Sequence, residues 1–104
     1  MVKIWGNWCG PNWTDGKPIS AQEYVANGGD FTGVAVDRLD RACRDHDRDC
    51  SHPLGCSRKA DARLIQTARR IVQNPLNRFR NPNQYRAATI VLIGISAARQ
   101  TRRR

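Results

Sequence analysis

Residues 37–50 read DRLDRACRDHDRDC, and their spacing predicts an amphipathic helix. One stripe recurs at i, i+4, i+7 and i+11 and consists of Leu39, Cys43, His46 and Cys50. Asp37 can cap the first turn, because an Asp side chain accepts hydrogen bonds from the free backbone N–H groups there. His46 shares its stripe with Leu39 and Cys43, so we expect it to face the protein core.

Two further helices are predicted downstream. The apolar face of residues 57–73 also carries Asp61, and Asn74-Pro75 stops this helix because proline disfavours helix in the residue before it. The β-branched run at residues 90–93 leaves a strand there as an alternative to a third helix. That third helix would span residues 83–100, with the inward-facing residues Tyr85, Ala88, Leu92 and Ile95.

The remaining segments predict turns and connections. Residues 5–18 are rich in Gly, Pro and Asn, which favour turns. Ser20 and Glu23 form a capping-box pair that favours a short helix. Residues 76–82 predict a connection and residues 101–104 a basic tail. Because 104 residues hold only one core, we expect a single all-α domain.

The charge is unevenly divided along the chain. Residues 1–51 hold 6 basic and 8 acidic side chains, whereas residues 52–104 hold 12 basic ones and a single acid, Asp61. A half this basic predicts an anionic partner, and charge alone leaves nucleic acid, an anionic membrane and an acidic protein open. No apolar run is long enough for an ordinary transmembrane helix, and the first residues turn polar too soon for a secretory signal.

The four cysteines allow two interpretations. An even count in a short chain suggests two disulfides, with three ways to pair them, and disulfides indicate a compartment outside the cytosol. The alternative is a zinc site, because three candidate ligands share one helical face and a fourth lies just beyond it. Those residues are Cys43, His46, Cys50 and Cys56.

His46 and Asp61 are expected to meet, because both lie on inward faces of helices joined by a short turn. A buried carboxylate costs several kcal/mol unless it is paired, and a histidine is a natural partner. A His–Asp pair is the general-base unit of many hydrolases, in which the carboxylate fixes the tautomer of the imidazole. A purely structural hydrogen bond is the alternative interpretation.

Asp47 and the turn-rich loop predict a cation site. Successive helical residues diverge by about 100°, so Asp47 points to the flank of the stripe that carries His46. The loop around residues 8–14 offers backbone carbonyls, and a carboxylate with carbonyl oxygens suits calcium. A plain surface turn is the alternative interpretation of the loop.

These residues together resemble the secreted phospholipase A2 family. Residues 36–47, VDRLDRACRDHD, resemble its active-site helix, which reads Asp-x-Cys-Cys-x-x-His-Asp. Residues 8–13, WCGPNW, resemble its calcium loop, aromatic-Cys-Gly-x-Gly, in a form similar to plant and parvovirus capsid domains. Residues 56–62, CSRKADA, resemble the start of the antiparallel partner helix with the catalytic Asp. The match covers residues 5–72.

The resemblance implies a role for each matching residue. His46 would take a proton from water, Asp61 would orient His46, and the Gly10 N–H would donate to the oxyanion. The implied Ca²⁺ ligands are the Asp47 side chain and the carbonyls of Trp8, Gly10 and Asn12. Water would then cleave the sn-2 ester of a glycerophospholipid into a fatty acid and a lysophospholipid. The implied disulfides are Cys9–Cys43 and Cys50–Cys56.

The chain departs from the family pattern at several positions. Asn12 replaces the second loop glycine, and Asn is the least costly substitute where φ is positive. Ala42 replaces the first Cys of the helix motif. Cys50 stands where many members have a Tyr that hydrogen-bonds the catalytic Asp. Two replacements are open: the Cys50–Cys56 link, which would hold the helices, and Tyr85, which would supply the lost hydrogen bond. The segment 15–35 is longer than in the pancreatic and venom enzymes.

The implied partner is a phospholipid membrane, and the implied location is extracytoplasmic. We expect a monomer whose basic second half, including Arg102–Arg104, favours anionic lipid. The indoles of Trp5, Trp8 and Trp13 are expected to rim the catalytic pocket. A basic nucleic-acid binder is an alternative class, but such a protein needs no His–Asp pair. The sequence contains no zinc-finger, homeodomain or aromatic-basic RNA motif, so no nucleic-acid partner is expected. An inactive binding or toxin module is the other alternative.

Overall fold

The computed structural model describes residues 2–104 and contains five helices. They are α1 (Ala21–Ala26), α2 (Arg38–Cys50), α3 (Arg58–Gln73), α4 (Asn77–Arg80) and α5 (Pro82–Arg99). Residues 2–104 form no strand and only isolated β-bridges, such as Trp5 with Cys9. The prediction of an all-α chain is therefore confirmed. No helix of this part of the chain is long and apolar enough to span a membrane.

Side-chain caps fix where α1, α2 and α3 begin. Ser20, Asp37 and Ser57 each accept a hydrogen bond from the backbone N–H three residues later. Such caps satisfy donors that have no partner inside the helix. The predicted bounds of α2, α3 and α5 lie within one residue of those observed.

The connection predicted over residues 76–82 contains the four-residue helix α4, which the sequence analysis did not predict. Pro75 ends α3, and Asn74 Oδ1 then accepts a hydrogen bond from the Leu76 N–H. The Asn77 side chain donates to the Ile71 carbonyl at 2.9 Å, which ties α4 back to the end of α3. Residues 90–93 lie inside α5, so the strand alternative is excluded.

Helix α3 lies at the centre of the packing, since it contacts both α2 and α5. Small residues let α3 and α5 approach closely: Ala68 and Ala88 are completely buried. The core that joins the three helices consists of Leu39, Cys43, Leu64, Ala68, Ile71, Ala87, Ala88 and Val91.

Both predicted disulfides are confirmed. Cys9–Cys43 joins the N-terminal loop to α2, and Cys50–Cys56 spans the turn between α2 and α3. No cysteine in the described chain is free. Two disulfides favour an oxidising compartment.

The N-terminal segment packs around Trp8, which has no exposed surface. The Trp8 indole meets the Tyr24 ring edge-on, with centroids 5.7 Å apart, and its Nε1 donates to the Val34 carbonyl at 2.9 Å. Trp8 therefore belongs to the core: it lines the cavity beside His46 but exposes no indole surface, and neither Trp5 nor Trp13 lines that cavity, so the expected rim of three indoles is not formed. Trp5 and Trp13 also donate their indole N–H groups internally, to Asp37 and to the Gly6 carbonyl.

Asp40 anchors this segment to α2. Its buried carboxylate accepts hydrogen bonds from the backbone N–H groups of Asn7, Trp8 and Val36 at 3.1, 2.8 and 3.0 Å. A carboxylate that accepts several N–H groups is well satisfied in the interior. Asp40 thus fixes the position of the loop that carries the predicted calcium ligands.

Candidate active site

The structure brings His46 and Asp61 together, as the sequence predicted. His46 Nε2 lies 2.6 Å from Asp61 Oδ1, and their side chains are 7% and 0% exposed. His46 comes from the third turn of α2 and Asp61 from the first turn of α3, so the disulfide-linked turn between these helices sets their separation. With a proton on Nε2, the ring donates to Asp61 and leaves the Nδ1 lone pair free.

Arg102 is the second partner of Asp61. Its Nε donates to Oδ2 at 2.8 Å and its Nη2 donates to Oδ1 at 3.1 Å. Burial pushes the pKa of Asp61 up, but the hydrogen bonds and charges of Arg102 and His46 outweigh burial and lower it below its ordinary value. Asp61 is therefore held as a carboxylate.

The expectation that Tyr85 supplies a hydrogen bond to Asp61 was wrong. Within residues 2–104 the Asp61 carboxylate bonds only to His46 and Arg102. Tyr85 lies in the first turn of α5, and its carbonyl accepts from the Thr89 hydroxyl. A guanidinium from the C-terminal segment occupies the place expected for a tyrosine hydroxyl.

The basic tail predicted over residues 101–104 is docked against the rest of the fold. Arg104 donates to the carbonyl of Gly55 at 2.9 Å and to the carbonyl of Asp49 at 2.8 Å. The main-chain oxygen of Arg104 accepts from the Arg58 N–H at 2.7 Å. Arg102 and Arg104 are thus used inside the fold, and Arg103 remains exposed.

A cavity of about 440 Å³ opens beside His46. The loop of residues 8–12 and the α2 residues His46 and Asp47 line one part of it. The rest is mostly apolar, with Leu64 from α3 and Ile90, Val91, Gly94, Ile95 and Ala98 from α5. The cavity therefore places His46, which is paired with Asp61, next to a surface that suits an alkyl chain.

The loop backbone has the conformation that a close-packed turn requires. Gly10 has φ of 144°, and a Cβ there would collide with the main-chain oxygen of Val2. Asn12 has φ of 52°, which confirms that this position has positive φ and explains why Asn is tolerated in place of Gly.

The predicted calcium ligands of the loop differ in how they are used. The Gly10 carbonyl accepts from the Trp13 N–H at 3.3 Å. The carbonyls of Trp8 and Asn12 accept no hydrogen bond from residues 2–104, and the Gly10 N–H donates none within that range. Free carbonyls and a free N–H are the groups that a cation and an oxyanion would use.

Asp47 is the residue at which the fit of a cation can be judged. Its Oδ2 is buried and has no hydrogen-bond partner among residues 2–104. Burial, and then the negative charge of Asp40, raises the pKa of Asp47 to about 9. A buried oxygen without a partner is costly, and a cation held by Asp47 and the loop carbonyls would satisfy it. The residues present therefore fit Ca²⁺.

A second group could also hold a metal ion. The ligand atoms of His46, Cys50 and Cys56 lie within 4.8 Å of one another. Both sulfurs are joined in a disulfide, however, and a thiolate rather than a disulfide sulfur ligates zinc. The four-residue zinc site that the sequence left open is not assembled, because Cys43 is bonded to Cys9.

Arg102 and Asp40 were missed by the sequence analysis as parts of the site. The signal for Arg102 was indirect: Asp61 is the single acid of a very basic half, so one arginine there was its natural partner.

Compared with known proteins, the chain matches no family model, no curated protein and no solved structure. Function is therefore inferred from the residues and their geometry.

Proposed function

We propose that this protein is a calcium-dependent phospholipase A2 with the corresponding helical fold, which cleaves the sn-2 ester of glycerophospholipids at membrane interfaces. One observation carries the proposal: His46, which is buried and paired with Asp61, lines an apolar cavity beside Asp47, whose Oδ2 lacks a partner among residues 2–104. A general base, an oxygen-rich cation site and an alkyl-binding surface are the three parts that such a hydrolase needs.

His46 acts as the general base through Nδ1. Because Nε2–H donates to Asp61, Nδ1 can accept a proton from water as the water oxygen attacks the ester carbonyl. The nearest sulfur, Cys50 Sγ, lies 3.5 Å from Nδ1, but a disulfide sulfur carries no proton and cannot donate to it. Asp61 stabilises the imidazolium that results.

The tetrahedral intermediate collapses when His46 returns its proton. The carbon–oxygen bond to the glycerol sn-2 oxygen breaks, and the proton on Nδ1 passes to that oxygen. The products are a fatty acid and a lysophospholipid. The Gly10 N–H, which has no partner in residues 2–104, donates to the oxyanion. Asp47 and the carbonyls of Trp8, Gly10 and Asn12 would hold Ca²⁺, which when bound polarises the ester carbonyl and neutralises the oxyanion.

The membrane partner is proposed from the surface near the cavity and from the charge. Ile90 lines the cavity and is 46% exposed, and Ile93 on the same helix is 66% exposed. The exposed basic side chains include Arg58, Lys59, Arg63, Arg69, Arg70, Arg78, Arg80 and Arg103. Near an anionic surface each such charge is worth about 1 kcal/mol, so anionic lipid is the favoured interface. The disulfides suit an enzyme that works outside the cytosol.

The two histidines give a matched test of the proposal. His46→Gln removes the base, and we expect hydrolysis of phosphatidylglycerol vesicles to fall by roughly a thousandfold or more. His52→Gln changes an exposed histidine in the α2–α3 turn and should hydrolyse like the unaltered protein. Mass spectrometry of the released lipids measures both rates. Equal hydrolysis by the two variants would remove His46 from the mechanism.

A further inference from the structure

The guanidinium of Arg102 donates hydrogen bonds to both carboxylate oxygens of Asp61, which lies 41 residues earlier in the chain. Arg102 is partly buried and lines the cavity that holds His46. We infer that Arg102 is a positioning residue, which holds the Asp61 carboxylate in the orientation that receives the His46 Nε2–H. The inference deepens the proposed hydrolase and rests on it for its catalytic consequence.

The need for a second partner follows from the burial of Asp61. Its side chain has no exposed surface, so no solvent completes its hydrogen bonds. His46 approaches Oδ1 alone, which would leave Oδ2 unsatisfied and the carboxylate free to rotate. Arg102 bonds to both oxygens, and this fork geometry fixes the carboxylate plane as well as its charge. Cys50 supplies no donor to Asp61, because it is tied to Cys56.

Arg102 is held next to Asp61 because the residues on both sides of it contact the α2–α3 turn and the start of α3. Before it, Arg99 Nε donates to the Arg58 carbonyl at 3.2 Å, and after it Arg104 bonds to Gly55 and Asp49. These contacts hold both sides of Arg102 against the start of α3, where Asp61 lies. The C-terminal segment therefore completes the His–Asp pair. This segment lies outside residues 5–72, the range that the sequence resemblance covers.

A role through Asp61 predicts a specific kinetic signature. Arg102 contacts neither the calcium loop nor Asp47 through any hydrogen bond within residues 2–104. Its loss should lower kcat, because the imidazolium is less well stabilised and the ring less well oriented. The KM and the affinity for Ca²⁺ should change little.

The test compares Arg102→Gln and Arg102→Lys with Arg103→Gln, which removes the same charge from an exposed neighbour. The substrate is phosphatidylcholine with short acyl chains, dispersed below its micelle concentration, so that membrane charge plays no part. We expect Arg102→Gln to lower kcat roughly tenfold to a hundredfold, as loss of an orienting partner does at other sites, with KM within twofold. Arg102→Lys should recover part of the loss, and Arg103→Gln should set the reference. Equal kcat for Arg102→Gln and Arg103→Gln would overturn the inference.

Proton NMR of His46 tests the positioning role of Arg102 without a measurement of hydrolysis. The Nε2–H proton held between His46 and Asp61 should give a downfield resonance that exchanges slowly with water. We expect this resonance in Arg103→Gln and its loss or faster exchange in Arg102→Gln, and an unchanged signal in Arg102→Gln would contradict the positioning role. An inactive unaltered protein that shows this difference would refute the proposed hydrolase and support the positioning. If Arg102→Gln does not fold, the downfield resonance and the kcat of Arg102→Lys replace it in the test. Values equal to those of Arg103→Gln would contradict the positioning role.

Discussion

In the His46–Asp61 pair both carboxylate oxygens have hydrogen-bond partners, whereas Asp47, the next residue along α2, buries an oxygen with none in residues 2–104. The first region is completed by the protein itself, through Arg102. The second has a fixed loop, an anchored helix and free carbonyls, but no hydrogen-bond donor to Asp47 Oδ2 in the described chain. In the proposed enzyme, protein groups alone preorganise the base, whereas the oxygen-rich site remains costly until it holds a cation.

Loss of the proposed calcium site should lower the rate of hydrolysis more than loss of a disulfide or of the pairing of Asp61 with Arg102. Asp47→Asn removes the single charged ligand of the proposed calcium site, and we expect hydrolysis to fall by roughly a hundredfold or more. The same change should raise the calcium-free melting temperature, because a buried ionisable group without a partner is lost. Asp45→Asn, on an exposed face of α2, is the matched control. Calcium-dependent hydrolysis and calcium-free thermal unfolding measure the two effects, and Asp47→Asn that behaves like Asp45→Asn in both would count against the site.

The two disulfides sharpen the comparison, because one anchors the loop and the other anchors the pair. Cys9–Cys43 closes a separation of 34 residues and Cys50–Cys56 one of 6. In the chain-entropy model the longer loop is worth about 4 kcal/mol and the shorter about 2 kcal/mol. Urea unfolding of the two double-alanine variants should therefore show the larger loss for Cys9 with Cys43. A larger loss for Cys50 with Cys56 would mean that strain or packing, rather than loop entropy, dominates.

Acid should weaken the protein-completed region by a smaller amount. Since the pKa of Asp61 is lower in the folded chain than its ordinary value of 3.8, its contribution to stability is present above pH 3.8 and is lost as the pH falls through the folded value. The titratable or charged groups that face it are His46 on α2 and Arg102 on the C-terminal segment. Arg102→Gln should thus lose less free energy of unfolding between pH 5 and about pH 2.5 than Arg103→Gln. Identical losses in the two variants would show that Arg102 does not lower this pKa.

Periodicity explains how much of this fold was accessible from the sequence. The stripe of Leu39, Cys43 and His46 sets one face of α2, and the matching face of α3 carries Asp61, so their meeting followed from local spacing. The positive φ of Asn12 followed from the residue type. These features depend on neighbours within a few turns of chain.

The contacts of Arg102 and Trp8 that the sequence analysis missed are long-range, whereas the missed helix α4 is held by local contacts such as that of Asn77 with Ile71. Arg102 is one of 12 basic residues in its half of the chain, and nothing local distinguishes it from Arg103. Trp8 was expected at a pocket rim because indoles favour interfaces, but Tyr24 and Phe31 enclose it. The choice among equivalent side chains is made by tertiary packing, which periodicity does not encode.

The measurement that tests the central claim most directly is hydrolysis of a phospholipid labelled only in its sn-2 acyl chain, first with Ca²⁺ and then with excess chelator. The protein should release labelled fatty acid and unlabelled lysophospholipid with Ca²⁺, and almost none with the chelator. The same hydrolysis in chelator would contradict the calcium site formed by Asp47 and the loop. No release under either condition, from a protein whose two disulfides are intact, would contradict the proposed activity itself.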